Sequence, residues 1–207
     1  MENKIEGLEE SCNSKFHTRG YLPHYDVTAE PQMITFNLHD SLPKPHLIAL
    51  SEELKVLTAK RVDPKRCSRI EELLDRGIGH CHLSNPRIAQ MVAESLRYYD
   101  GHRYILNAWV IMPNHVHVLL TPKTQNSIST IVHSWKSFTA KQANRILGQQ
   151  GPFWQREYFD RRIRNDRHFQ DVVKYIHNNP LKAGLCESAD AWIFSSAHLE
   201  RGEDDVQ

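Results

Sequence analysis

The chain has 207 residues, of which 40% are hydrophobic and 25% charged, with a formal net charge of +1. This is enough apolar material for a buried core and too little net charge for a disordered polyelectrolyte, and no apolar run approaches the roughly 20 residues of a membrane-spanning helix. The first six residues lack the basic and apolar stretches of a signal peptide. The four cysteines (Cys12, Cys67, Cys81 and Cys186) contain no Cys-x-x-Cys pair, the pattern of reduced thiols in a cytoplasm.

The expected organisation is a flexible segment over 1–17, one domain over 18–199 with an insertion at about 40–82, and a polar tail over 200–207. Arg19-Gly20-Tyr21-Leu22-Pro23-His24 reads as an extended lead-in, because a proline disfavours helix at the residue before it. Gln32 to His39 is the first strand. A polar, partly helical insertion follows and is stopped by Gly77-Ile78-Gly79. His80-Cys81-His82 reads as a loop or short strand rather than a metal clamp. Asn85-Pro86 then starts a helix, with Ile88, Met91, Val92, Leu96 and Tyr99 on its apolar side.

Tyr104 to Ile111 is an apolar, β-rich run, a second such strand carries His115 to Leu120, and Pro113-Asn114 between them is turn chemistry, so the pair predicts an antiparallel hairpin. Side chains alternate along a strand, so His115 and His117 share one face and can grip a single cation. Ser127 to Leu147 is the longest predicted helix, with Ile128, Ile131, Val132, Trp135, Phe138 and Ile146 as its buried stripe. Phe153 to Arg164 is an edge strand, and Asn165-Asp166 caps a last helix that buries Phe169, Val172, Val173 and Ile176. On that helix Tyr175 falls on the flank of the buried side, and Asn179 lies one turn further along. Since Asn179 precedes Pro180, the helix is expected to end there.

Charge is uneven along this order. Residues 133–182 carry ten Lys and Arg against four Asp and Glu, whereas the first thirty residues carry three against six. A basic segment beside the last helix suits a polyanion, with phosphate contacts dominating its affinity. The strand–helix–strand–strand–helix–strand order predicts an α+β, ferredoxin-like antiparallel sheet with helices packed on one face and a C-terminal tyrosine-bearing helix. In that arrangement the other sheet face is left free for ligand.

Five motifs stand in order along the chain: Arg19 to His24, Met112 to His117, Ser134-Trp135-Lys136-Ser137-Phe138-Thr139, Trp154 to Asp160, and Tyr175-Ile176-His177-Asn178-Asn179-Pro180-Leu181-Lys182-Ala183-Gly184. Together they resemble those of the HUH-type single-tyrosine transposases, and most closely the REP-associated tyrosine transposases. The resemblance covers roughly Thr18 to Ala197. It implies Tyr175 as nucleophile, with His115, His117 and Asn179 holding Mg²⁺ or Mn²⁺. The reaction it implies is nicking and rejoining of single-stranded or hairpin DNA through a covalent 5′-phosphotyrosine, by a metal-dependent endonuclease and strand transferase. The implied setting is a bacterial cytoplasm, on nucleoid DNA, as monomer or homodimer.

Arg161, Arg162, Arg164 and Lys174 are the expected phosphate contacts, with Lys136 from the same basic segment and Arg19 from the arm. Trp154 is an expected stacking platform for unpaired bases, as is Tyr158. Trp135 lies on the apolar stripe and is assigned to the core, and His177 to a structural or DNA-contacting role. The alternative reading is a non-catalytic, sequence- or structure-specific nucleic-acid-binding protein on the same fold. Relaxases and replication initiators share the histidine pair but not the Trp-Lys-Ser-Phe and Tyr-Ile-His-Asn-Asn-Pro contexts.

Overall fold

The computed structural model describes residues 29–42 and 72–199 with their side chains, and the backbone of 15–18 and 23–26. Arg19, most of the expected insertion (43–71) and the tail from 200 lie outside the described residues. The described strands are β1 (Lys15–Thr18), β2 (Pro23–Asp26), β3 (Gln32–Asn37), β4 (Tyr104–Ile111), β5 (His115–Pro122) and β6 (Phe159–Arg162). The helices are α1 (Pro86–Arg97), α2 (Ile128–Leu147) and α3 (Asp166–Lys182). β1 and β2 form an antiparallel pair of their own, so regular structure begins inside the stretch expected to be flexible.

The other four strands form one antiparallel sheet in the order β4-β5-β3-β6. With α1 between β3 and β4, and α2 between β5 and β6, this is the ferredoxin-like arrangement expected from the sequence. Local chemistry sets the helix starts. Asn85, Ser127 and Asn165 each accept a backbone N–H of the first turn through the side-chain oxygen, and Pro86 occupies the first position of α1. Gly148 ends α2 at φ 64°, in the left-handed region that glycine enters without a Cβ clash.

Both faces of the sheet are covered. On one face, Ile34, Phe36, Leu38, Val116, Val118 and Leu120 pack against α1 and α2. On the other, Met33, Ala108, Val110, Met112 and Leu119 pack against Val172 and Ile176 of α3. The expectation of a free second face is therefore corrected, since the tyrosine-bearing helix lies on it. A β-bulge at Asn107 lets β4 serve both layers, because the pairing steps from Leu106↔Leu120 to Ala108↔Leu119. Were the pairing regular through Asn107, Trp109 and Ile111 would face the layer opposite to Tyr104 and Leu106. The free edge of β4 is closed by the segment 192–196: Ile111 N–H donates to the Phe194 carbonyl at 2.9 Å, and Trp192 Nε1–H to the Ile111 carbonyl at 2.9 Å.

Four expectations change at the residue level. Phe138 is 50% exposed, because the buried line of α2 runs through Ile131, Trp135, Thr139 and Ala143. Strand β6 is limited to Phe159–Arg162, and the chain before it is irregular. Trp154 is buried among Phe36 and Phe153, and its Nε1–H donates to Thr139 Oγ1 at 2.8 Å, so it is a core residue rather than an open stacking platform. Tyr158 is likewise buried in that core.

Lys136 is also turned inward. Its Nζ donates to the carbonyls of Gln155, Arg156 and Glu157 at 2.6, 2.8 and 3.3 Å, tying α2 to the segment that leads into β6. Burial lowers its pKa to about 8, opposed by the nearby Glu157 carboxylate. A positive charge used this way is not offered to a ligand. Lys136→Met should remove the donor from all three carbonyls and lower unfolding stability in urea by about 1–3 kcal/mol; an unchanged midpoint would contradict the structural role.

Candidate functional site

The register of β3 against β5 builds the site. Thr35 lies opposite His117 and Asn37 opposite His115, and residues directly opposite in an antiparallel pair share a face. His115 and His117 therefore sit on the α3 side of the sheet, both fully buried. Their Nε2 atoms are 3.1 Å apart. Two ligands in adjacent positions around one cation, with bonds of about 2.1 Å, lie about 3 Å apart. The spacing fits either an N–H···N hydrogen bond between the rings or two donors to one cation.

Neighbouring groups fix which nitrogens carry protons. Asn114 Nδ2 spends its two hydrogens on the carbonyls of Leu74 and Ile78, both at 3.1 Å. Its Oδ1 can therefore only accept, and it receives His115 Nδ1–H at 2.7 Å. The Nε2 of neutral His115 is thus left as a lone pair. His117 Nδ1 meets Thr35 Oγ1 at 2.8 Å, and a hydroxyl can donate or accept. With Thr35 donating, His117 gives its Nε2–H to His115. With Thr35 accepting, both Nε2 lone pairs converge on one point. The pair thus has a satisfied resting form and a cation-ready form that differ only in proton placement.

Burial keeps both rings uncharged. The pKa of His117 is pushed down to about 3, by burial first and then by the positive charge of Lys182. That of His115 is lowered well below the ordinary histidine value, by burial and then by His117.

Helix α3 supplies the remaining groups. It runs through Pro180 to Lys182 rather than ending at Asn179, with Pro180 in its last turn. Asn179 is consequently helical and buried, its Nδ2 3.5 Å from His117 Nε2 and its buried Oδ1 without a hydrogen-bond partner. Half a turn of the carboxamide puts that oxygen where Nδ2 stands. Tyr175, one turn earlier, is half-buried, with its ring 5.4 Å from that of His117 in an edge-on contact. The four side chains singled out in the sequence are thus gathered at one place. Two imidazole nitrogens and a carboxamide oxygen form a donor set that a divalent cation such as Mn²⁺ accepts. Among the described residues, no three His, Cys, Asp or Glu side chains form a ready cage by themselves.

The basic residues are spread more widely. Arg161, Arg164 and Lys174 are exposed. Arg162 is also exposed but pairs with Glu30, its Nη2 at 2.8 Å from Oε1. His177 Nε2 pairs with Ser196 Oγ at 2.9 Å, and Ser196 in turn holds Trp109 of β4, so His177 secures the C-terminal segment. His80 binds Asp40 and stacks on His82 in the loop before α1. Asp75, within the expected insertion, lies 3.9 Å from His115 Nε2 through Oδ1. No periodicity or spacing in the sequence marks it.

Comparison with known proteins finds relatives over part of the chain. A family model described as "Transposase IS200 like" matches residues 82–179. The REP-associated tyrosine transposase of Escherichia coli (strain K12) is 32% identical over 96 residues, 46% of this chain and 55% of that protein. A protein of Haemophilus influenzae with the same family description is 28% identical over 100 residues, 44% of this chain and 57% of that protein. The chain therefore spans little more than half the length of the curated relatives it matches. A solved REP-associated tyrosine transposase bound to a REP hairpin superimposes with a TM-score of 0.54 at 20% identity, over 86% of this chain and 84% of that one. The chain is thus similar, as a class, to the IS200-like transposases. Within that class it resembles the REP-associated tyrosine transposases, as its motifs indicated. No helix among the described residues is long and apolar enough to cross a membrane.

The depressed histidine values carry a pH signature. An unfolded chain binds these protons near pH 6.5, whereas folded His117 does not until about 3, so the unfolded state holds more protons between those values. Stability should accordingly fall as pH drops below 6.5, by up to about 1.4 kcal/mol per pH unit for each buried histidine. Urea unfolding of His117→Gln should show a shallower acid slope than the wild type between pH 6.5 and about 4.5; equal slopes would mean that His117 is not held neutral.

Proposed function

We propose that this chain is a metal-dependent endonuclease and strand transferase that acts on single-stranded or hairpin DNA through a covalent 5′-phosphotyrosine on Tyr175. The observation that carries the reading is the meeting of Tyr175, His115, His117 and Asn179, two of them from β5 and two from α3, at one point of the sheet. The likeness to transposases, one of them solved with a REP hairpin, supports DNA as substrate and a palindromic hairpin as its form.

Each residue has a definite task. Asn114 and Thr35 hold the imidazoles in place and burial keeps both rings uncharged, so His115 offers its Nε2 lone pair, and His117 does the same once its proton lies on Nδ1 toward Thr35. Asn179 contributes its carboxamide oxygen. A divalent cation bound there would polarise the scissile phosphate and offset its developing charge. Tyr175, packed edge-on against His117, is restricted in position beside the same point, which lowers the entropic cost of attack.

Its hydroxyl oxygen attacks phosphorus, forming the tyrosine O–P bond and breaking the bond from phosphorus to the 3′ oxygen. The phenol loses its proton and the departing 3′ oxygen gains one. Because the product is again a phosphodiester, attack by another 3′-OH reverses the step and joins strands. An unpaired strand can bring its backbone to a single half-buried tyrosine more readily than a duplex. The exposed Arg161, Arg164 and Lys174 contact phosphates along it.

Two predictions follow from this assignment. With labelled hairpin DNA and Mn²⁺, Tyr175→Phe should lose the covalent band, while His115→Ala and His117→Ala lose cleavage and keep hairpin binding. Tyr158→Phe, altering a tyrosine buried in the core on the opposite face, should keep the band. A covalent band from Tyr175→Phe would place the nucleophile elsewhere, and hairpin binding without any adduct from the wild type would favour a purely binding protein. Separately, replacing Arg161, Arg164 and Lys174 together by alanine should flatten the dependence of log K on log salt by about 0.7 for each lost contact to a single strand; an unchanged slope would place the DNA on another surface.

A further inference from the structure

The histidine clamp has a third wall, formed by residues 72–78, which precede the span matched by the family model. A helical turn over 72–75 is anchored by Leu74, fully buried against Leu42 with Phe159 packed beside it. The carbonyls of Leu74 and Ile78 receive the Asn114 amide, which fixes the proton on His115. The same turn carries Asp75, whose side chain is only 14% exposed. Its Oδ2 is held by Lys182 Nζ at 3.2 Å, while Oδ1 is buried without a hydrogen-bond partner, 3.9 Å from His115 Nε2.

That pairing is electrostatically incomplete. Asn114 obliges His115 to present a lone pair at Nε2, so a carboxylate oxygen faces a nitrogen lone pair with no proton between them. A buried anionic oxygen left this way is unfavourable unless a positive charge lies between the two atoms. The donor set of the proposed site lacks what Asp75 has: two imidazoles and a carboxamide are all neutral, and a hard dication such as Mg²⁺ is usually held through one or two carboxylates. Adjacent ligands stand about 3 Å apart for bonds of about 2.1 Å, so Oδ1 needs to move toward His115 by about 1 Å. Its anchor on Lys182 is through the other oxygen, and that amine is 58% exposed and able to follow.

We infer that Asp75 is a further ligand of the divalent cation at His115 and His117, supplying through Oδ1 the anionic oxygen that the other donors lack. The inference rests on the metal-dependent reading above and adds a residue to it. Lys182 then acts as a counter-ion, setting the side chain through Oδ2 and balancing the carboxylate until the cation arrives.

The test reads cation binding directly, on the full chain without DNA, by titrating Mn²⁺ and following the loss of the free-ion electron paramagnetic resonance signal. Asp75→Asn should weaken Mn²⁺ binding by about ten-fold or more, whereas Lys182→Met, which breaks the same ion pair but leaves the carboxylate, should bind at least as tightly as wild type. Asp75→Cys should gain affinity for Cd²⁺ relative to Mn²⁺ when compared with wild type, because a thiolate is a soft donor. This readout keeps the question open to decision if the asparagine variant does not fold. Unchanged Mn²⁺ affinity in Asp75→Asn would overturn the inference, as would equal weakening in Asp75→Asn and Lys182→Met, which would make Asp75 a structural anchor. His115→Ala separates the two levels: if it binds Mn²⁺ as wild type does, the metal-dependent reading itself fails. If it loses Mn²⁺ while Asp75→Asn does not, only the role of Asp75 fails.

Discussion

The structure depends on one register, that of β3 against β5, which sets Thr35 beside His117 in the interior of a sheet covered on both sides. From it follow the burial of both histidines, the close approach of their Nε2 atoms and the hydroxyl that can switch the proton on His117. A slip of one residue would exchange the faces, turning Val116 and Val118 toward α3 and both imidazoles toward the apolar core beneath α1 and α2. That core holds the register. Ile34 and Phe36 alternate with Met33 and Thr35, and Val116, Val118 and Leu120 with His115, His117 and Leu119, so each strand serves an apolar layer on one side and the site on the other.

The sheet thus divides its work by face. The α1 and α2 side is an ordinary core of aliphatic and aromatic residues, in which Trp135 and Trp154 spend their indole N–H groups on Tyr104 and Thr139. The α3 side is apolar under Val172 and Ile176 and becomes polar toward Asn179, so the helix that closes the layer also brings Tyr175 and Asn179 to the histidines. Pro180 lacks the N–H that would bond to the Ile176 carbonyl, yet the last turn continues past it and keeps Asn179 on the site face.

Much of this was legible in the sequence because its signals are local. Pro113-Asn114 marked the hairpin, Asn85-Pro86 and Asn165-Asp166 marked helix starts, and the alternation of a strand put both histidines on one face. The residues that follow from long-range packing were not legible. The contact of Thr35 with His117 spans 82 positions, and nothing in either segment announces it. Asp75 sits in a stretch with no repeating pattern and reaches the site only because Leu74 is buried beside it. Charge and aromaticity point Lys136 and Trp154 outward, but α2 is rotated so that Thr139 and Ala143, not Phe138, line the core; Lys136 turns in with the helix, and Thr139 takes the indole N–H of Trp154. The bulge at Asn107 left no mark either, since a run of apolar residues hides a one-residue change of face.

The central claim is that Tyr175 forms the bond to DNA at the point where the histidines meet. The most direct measurement is to let the wild-type chain react with hairpin DNA, denature and digest the covalent product, and locate the attached nucleotide by mass spectrometry. The account predicts a phosphodiester-linked nucleotide on the peptide that contains Tyr175, joined through its 5′ phosphate. A nucleotide on any other residue, or strand cleavage that leaves none attached to protein, would contradict it.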